Sequence, residues 1–168
     1  MTIHVGDRIP VATINQMSDR GPQPVSTTDY FAGRKIVLFS VPGAFTPTCS
    51  AYHLPGFIKN RDELFKRGID AIACMAVNDV FVMHAWGKHA NADGIDMLAD
   101  GNGDFALALG LEKDSSAFGM GIRSQRFALV ADDSIVTHLM VEAPGEFRVS
   151  SAESVLAALS TASNGQGS

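Results

Sequence analysis

Apolar positions in this chain fall into short runs separated by polar turns, and their period changes along the sequence. Lys35-Ile36-Val37-Leu38-Phe39-Ser40-Val41 is a continuous apolar, β-branched run, which suits a strand buried on both faces. Ile69–Val77 repeats that pattern and stops at Asn78-Asp79; Ile95–Ala99 is a shorter version. Val11–Met17 reads as an early strand followed by a turn over Asp19–Pro24. Between the runs the spacing becomes helical. Leu54, Phe57, Ile58, Leu64 and Phe65 share one face before Gly68 closes that helix. Val80–Ala90 puts Val82, Ala85, Trp86 and His89 near one face, and Phe105–Leu109 is a short helix. Arg126–Ala131 and Ile135–Glu142 flank Asp132-Asp133-Ser134 and predict a hairpin. A last helix spans Ser151 to Ser160, capped by Ser150 or Ser151, and the small polar residues beyond it are expected to fray.

Strands alternating with helices, then a hairpin and a helix, predict a three-layer α/β sandwich with a mixed sheet. This is a thioredoxin-like architecture with an N-terminal strand extension. At 168 residues, with no repeat and no linker, one domain over 1–168 is expected, with a flexible tail from about residue 160. A hydrophobic share of 46% is too high for a disordered chain. The net charge of −5 and the lack of a basic run argue against nucleic acid as a partner. No apolar run is long enough to span a membrane, since Ile36–Val41 ends at Pro42. Two cysteines are too few for a disulfide scaffold, so a reducing, cytosolic setting is the default expectation.

The chemistry concentrates where the first buried strand ends, in Val41-Pro42-Gly43-Ala44-Phe45-Thr46-Pro47-Thr48-Cys49-Ser50. Thr46 is a good N-cap, Pro47 suits the first helical position, and Cys49 then falls third. The unpaired N–H groups of a helix start favour an anion, so the Cys49 thiol should ionise readily. Pro55, farther in, predicts a bend near Pro55-Gly56. An ordinary thiol with pKa about 8.5 is roughly 3% thiolate at neutral pH. Lowering that pKa to about 6 needs about 3.4 kcal/mol, of which a helix end supplies about 0.3–1. One guanidinium at ~4 Å contributes on the order of 4 kcal/mol. An arginine should therefore fold back onto Cys49. Arg126, opening an apolar strand, can be held rigidly; Arg123, in the loop before it, is expected to be solvated.

With Arg126 added, Pro42-x-x-x-Thr46-x-x-Cys49 resembles the active site of a peroxiredoxin. The fuller string through His53-Leu54-Pro55-Gly56-Phe57, with Val77-Asn78-Asp79-Val80-Phe81-Val82-Met83, Trp86 and Arg123-Ser124-Gln125-Arg126-Phe127-Ala128, is similar to the type II or type five subfamily. The resemblance runs from about Val5 to Leu159. It implies a thiol peroxidase that reduces hydrogen peroxide and organic hydroperoxides without metal, haem or flavin. Cys49 would be the peroxidatic thiol, passing through a sulfenic acid. Arg126 would stabilise the thiolate and orient the peroxide, Thr46 would hydrogen-bond sulfur and peroxide, and Pro42 would shield the sulfur.

Cys74, in the run Ile69–Val77, reads either as a core residue or as a resolving thiol. Its separation from Cys49 resembles plant-type members. The animal form's resolving position, in the loop before the last helix, holds Phe147-Arg148-Val149-Ser150-Ser151 here and no cysteine. The chain has no Cys-x-x-Cys module, so the reductant is a separate molecule, glutathione with glutaredoxin or thioredoxin. Met120 and Phe45 are candidates for a homodimer interface beside the site, as the resemblance implies. His53, four residues after Cys49, is too isolated from other histidines to read as a metal ligand.

Overall fold

The computed structural model describes residues 2–166. A seven-stranded mixed sheet has the order β2-β1-β5-β4-β3-β8-β9. Its strands are β1 (Thr13–Ser18), β2 (Gly21–Ser26), β3 (Lys35–Ser40), β4 (Ala71–Ala76), β5 (Ile95–Ala99), β8 (Phe127–Asp132) and β9 (Ile135–Val141). β3, β4 and β5 run parallel, and the other pairs are antiparallel. The helices are α1 (Thr27–Phe31), α2 (Leu54–Lys66), α3 (Val80–His89), α4 (Asp104–Leu109) and α5 (Ala152–Gln166). A separate small ribbon pairs β6 (Glu112–Asp114) with β7 (Ile122–Ser124).

Alternation along the strands makes two cores, one on each face of the sheet. Val37 and Phe39 of β3, with Ile72 and Cys74 of β4, face a cluster that includes Leu54, Phe57, Leu64, Met83, Trp86 and Val155. Ile36 and Leu38, with Ala73 and Met75, face Tyr30, Phe31, Phe105 and Leu109. Helices α2, α3 and α5 therefore cover one face, while α1 and α4 cover the other. Every residue of β4 is buried, as its continuous apolar run requires.

The segment read as a turn over Asp19–Pro24 differs, because Gly21–Ser26 forms β2. Its Pro22 and Pro24 resemble strand breakers, yet β2 is an edge strand paired only with β1. The prolines are two residues apart, so both can place their missing N–H on the open edge. The hairpin turn is tight: Asp133 and Ser134 both adopt positive φ, 47° and 71°. The last helix runs to Gln166 rather than ending at Ser160. Small polar residues are weak helix formers but not breakers, and no proline interrupts them. The end of the tail, Gly167 and Ser168, lies outside the described residues.

Candidate active site

β3 delivers the chain to the C-terminal ends of the parallel strands, and the amide of Val41 still bonds Met75 O at 3.0 Å. The turn that follows is pinned by Asn78, whose Oδ1 accepts from the Ala44 amide at 2.9 Å. Phe45 adopts φ 63°, an uncommon conformation for a bulky side chain. Gly43 permits a close approach: a Cβ there would lie 3.3 Å from the Arg123 guanidinium, the Met120 methyl and the Thr46 methyl, so one of these would have to shift. The first helical bond then runs from the Ser50 amide to Thr46 O, at 2.9 Å. Thr46 thus starts the helix through its backbone, and its hydroxyl is committed elsewhere.

The irregularity expected at Pro55-Gly56 takes a different form. A single wide π turn spans Cys49–His53, closed by the Leu54 amide on Cys49 O, and α2 follows with Pro55 in its first turn. Proline has no N–H to return to the preceding turn, so the helix widens ahead of it instead of bending at it.

Cys49 is fully buried, yet its sulfur has two polar neighbours. Thr46 Oγ1 lies 2.8 Å from Sγ, and Arg126 Nη2 donates to Sγ at 3.1 Å. Thr46 Oγ1 also lies 2.7 Å from Gly43 O. A hydroxyl has one hydrogen, so the two contacts of Thr46 cannot both be donated. With Cys49 as a thiol, S–H donates to Oγ1 and the hydroxyl donates to Gly43 O. With a thiolate, the hydroxyl turns its hydrogen to the sulfur.

Arg126 immediately precedes β8, as the rigid placement required. Its Nη1 donates to His53 Nδ1 at 2.8 Å, and its guanidinium lies over the Phe147 ring at 5.8 Å. Arg123 corrects the expectation of a solvated loop residue. It is half-buried, with Nε on Met120 O at 2.8 Å and Nη1 on Val77 O at 3.1 Å, because β7 and its pairing with β6 hold it against the turn.

Two further residues make contacts that the sequence reading did not give them: His53, weighed there only as a metal ligand, and Glu142. His53 is fully buried, with Nε2 donating to Ser150 O at 2.9 Å. Burial, then the Arg126 charge, pushes its pKa down to about 3, so the ring is neutral. Glu142, at the end of β9, is also buried and accepts from the amides of Arg148, Val149 and Ser150 and from the Ser150 hydroxyl, at 2.7 to 2.9 Å. Burial alone would raise its pKa, but these hydrogen bonds outweigh burial and hold the carboxyl below the usual range. An acidic residue ending an apolar strand was the available signal for it.

A pocket of about 330 Å³ shares Pro42 and Arg126 with the site and has Thr48, Lys113, Gln125 and Glu142 among its other lining residues; Cys49 itself lies behind this lining, fully buried. Pro42 is half-buried there. Cys74 lies across from Phe39 in β4, fully buried and free, in the same core cluster as Cys49. Burial, then the Cys49 charge, pushes its thiol pKa up.

The chain matches the Redoxin family model over residues 4–156. It is 51% identical to Peroxiredoxin-2C of Arabidopsis thaliana, over 94% of this chain and 98% of that one. The chain belongs to the peroxiredoxins. It is also 50% identical to chloroplastic Peroxiredoxin-2E-2 of Oryza sativa, over 94% of this chain and 73% of that protein. The crystal structure of reduced Prx3 from Vibrio vulnificus, in complex with H2O2, superposes with a TM-score of 0.92 at 52% identity, covering 94% of this chain and 99% of that one. The peroxiredoxin assignment makes this chain a thiol-dependent peroxidase with an antioxidant role, using peroxide substrates and a thiol reductant.

One expectation is overturned by these relatives. The cytosolic address inferred from two cysteines does not stand, because a relative at 50% identity is chloroplastic. Having too few cysteines for a disulfide scaffold does not single out a compartment.

Proposed function

We propose that Cys49 is the sulfur that attacks the peroxide, and that Thr46, Arg126 and Pro42 complete the catalytic set. The observation that carries this reading is the convergence of Thr46 Oγ1 and Arg126 Nη2 on one buried sulfur. As thiolate, Cys49 attacks the terminal oxygen of ROOH. An S–O bond forms, the O–O bond breaks, and the products are Cys49–SOH and RO⁻, which takes a proton to become water or an alcohol. Negative charge moves from sulfur to the leaving oxygen. The Arg126 guanidinium, held in place beforehand, serves both ends of that transfer. The Thr46 hydroxyl is free to follow the sulfur or the peroxide, because Gly43 O is its alternative partner. Pro42 limits water at the pocket wall.

In this proposal Cys74 is the resolving thiol. Its place in the same core cluster as Cys49 supports that role. The obstacle is that both sulfurs are enclosed, so a disulfide is expected to form only after the Cys49–His53 turn loosens. Glutathione with glutaredoxin is the preferred reductant and thioredoxin the other option, since no Cys-x-x-Cys lies within the chain. A homodimer belongs to the same reading, with exposed Phe45 and nearby Met120 at the interface.

The deciding assay follows peroxide consumption by wild type and Cys49→Ser, each with glutathione/glutaredoxin and with thioredoxin. Wild type should turn over with at least one system, and Cys49→Ser with neither; full activity of Cys49→Ser contradicts the proposal. For Cys74, mass spectrometry after one equivalent of peroxide decides. A Cys49–Cys74 disulfide supports resolution, whereas a glutathione adduct, with Cys74→Ser still active, argues against it.

A further inference from the structure

We infer that His53 is a positioning residue for the peroxidase reaction, acting as a neutral hydrogen-bond acceptor that fixes the Arg126 guanidinium on the Cys49 sulfur. This rests on the assignment of Cys49 and Arg126 to the reaction. Arg126 has a long, rotatable side chain, and one bond to sulfur leaves its plane free to turn. The second bond, Nη1 to His53 Nδ1 at 2.8 Å, removes that freedom. Cys49 and His53 begin and end the same wide turn. The guanidinium is therefore tied at two points to one turn of the chain, and the Phe147 ring lies against it.

The acceptor role requires a specific tautomer. Ser150 O accepts only, so Nε2 must carry the hydrogen and Nδ1 must offer its lone pair. Ser150 is itself held by Glu142 through its amide and its hydroxyl, at 2.8 and 2.7 Å. The order of constraint is thus Glu142, Ser150, His53, Arg126, Cys49. The ionisable groups facing the imidazole are Arg126 and Glu142, and the rings of Phe39, Phe57 and Phe147 complete its surroundings. A proton on Nδ1 would point at the guanidinium and abolish the bond; burial and the Arg126 charge both disfavour that state. When Cys49 becomes a sulfenic acid and its contact with Nη2 changes, the His53 bond still holds Arg126 for as long as the turn stays closed.

The test compares His53→Leu with His53→Gln in the full chain. Leucine removes the acceptor. Glutamine can accept from Arg126 through Oε1 and donate to Ser150 O through Nε2. His53→Leu should lower kcat/KM for hydrogen peroxide by about tenfold or more, the loss expected for a bond to a charged group. It should also move the pH profile of Cys49 alkylation to more alkaline pH. His53→Gln should recover most of both. A His53→Leu protein within about twofold of wild type in rate and profile overturns the inference, as does a folded His53→Gln protein no better than His53→Leu. Should leucine prevent folding, nitrogen NMR of wild type labelled at histidine decides instead. Protonated Nε2 with bare Nδ1, unchanged from pH 8 to 5, is the expected result; a cationic ring or the opposite tautomer contradicts it. Failure of the Cys49 assignment would appear separately, as activity in Cys49→Ser.

Discussion

The two cysteines lie in the same core cluster and are both fully buried, yet their surroundings differ in kind. Cys49 sits in a widened helical turn, with a hydroxyl at 2.8 Å and a guanidinium at 3.1 Å. Cys74 sits mid-strand between β3 and β5, in the pattern of a core residue, where burial holds it as a thiol. Burial by itself disfavours the charged form of a sulfur. On the proposed assignment, reactivity comes from what the fold aims at the sulfur, because both thiols are equally buried. The local backbone explains why: a strand spends its polar groups on its neighbours, whereas a turn at a strand end leaves room for side chains to converge.

The sharpest way to break this comparison is to give Cys49 surroundings like those of Cys74. Arg126→Met should lower kcat/KM for peroxide by about 10²–10³-fold, measured by stopped-flow kinetics, since it removes the charged donor. Arg126→Lys should recover only part, because an ammonium cannot serve Sγ and His53 with a planar fork. Thr46→Val should cost about 10–100-fold and Thr46→Ser much less, if the hydroxyl rather than the methyl matters. Equal losses in both Thr46 variants would assign the effect to packing.

A smaller effect is expected from the other thiol. Cys74→Ser should destabilise the fold by about 1–3 kcal/mol, read from urea denaturation, since it buries a hydroxyl in an apolar strand. Its first-turnover oxidation rate should stay within about twofold of wild type. A large loss in that first step would mean that Cys74 acts before sulfenic acid forms.

A separate effect concerns pH. His53 titrates near 6.5 when unfolded and at about 3 when folded, so between those values the unfolded chain binds the extra proton. Stability then falls as pH drops from about 6.5 toward 3. Glu142 pushes in the same direction, because its carboxyl is held below its ordinary value. The denaturation midpoint of wild type should therefore fall on acidification. His53→Gln should flatten that profile and leave the Glu142 share; identical profiles would contradict a buried neutral histidine.

Much of this was legible in the sequence where one physical constraint acts alone. The buried strands β3, β4 and β5 and the helix α3 follow from apolar period. Arg126 followed from a magnitude, since a helix end is too weak to ionise a thiol unaided. Elements shaped by two constraints were not legible. β2 contains two prolines that only an edge position tolerates, and sequence does not say which strand is an edge. The wide turn at Cys49–His53 depends on a missing N–H at Pro55, felt one turn earlier than expected. Arg123 became a strap because the β6–β7 ribbon, too short for any period, fixes it. His53 could not be recognised as an acceptor, because its partners Arg126 and Ser150 lie 73 and 97 residues away.

The most direct test uses the two single-thiol proteins, Cys74→Ser and Cys49→Ser, confirmed folded by near-ultraviolet circular dichroism. Each is treated with one equivalent of hydrogen peroxide and a sulfenic-acid trap, and the labelled peptides are read by mass spectrometry. The Cys74→Ser protein should be labelled rapidly and near-stoichiometrically at Cys49, and the Cys49→Ser protein should stay unlabelled. Comparable labelling of Cys74 in Cys49→Ser would show that the Thr46 and Arg126 contacts do not distinguish the two sulfurs.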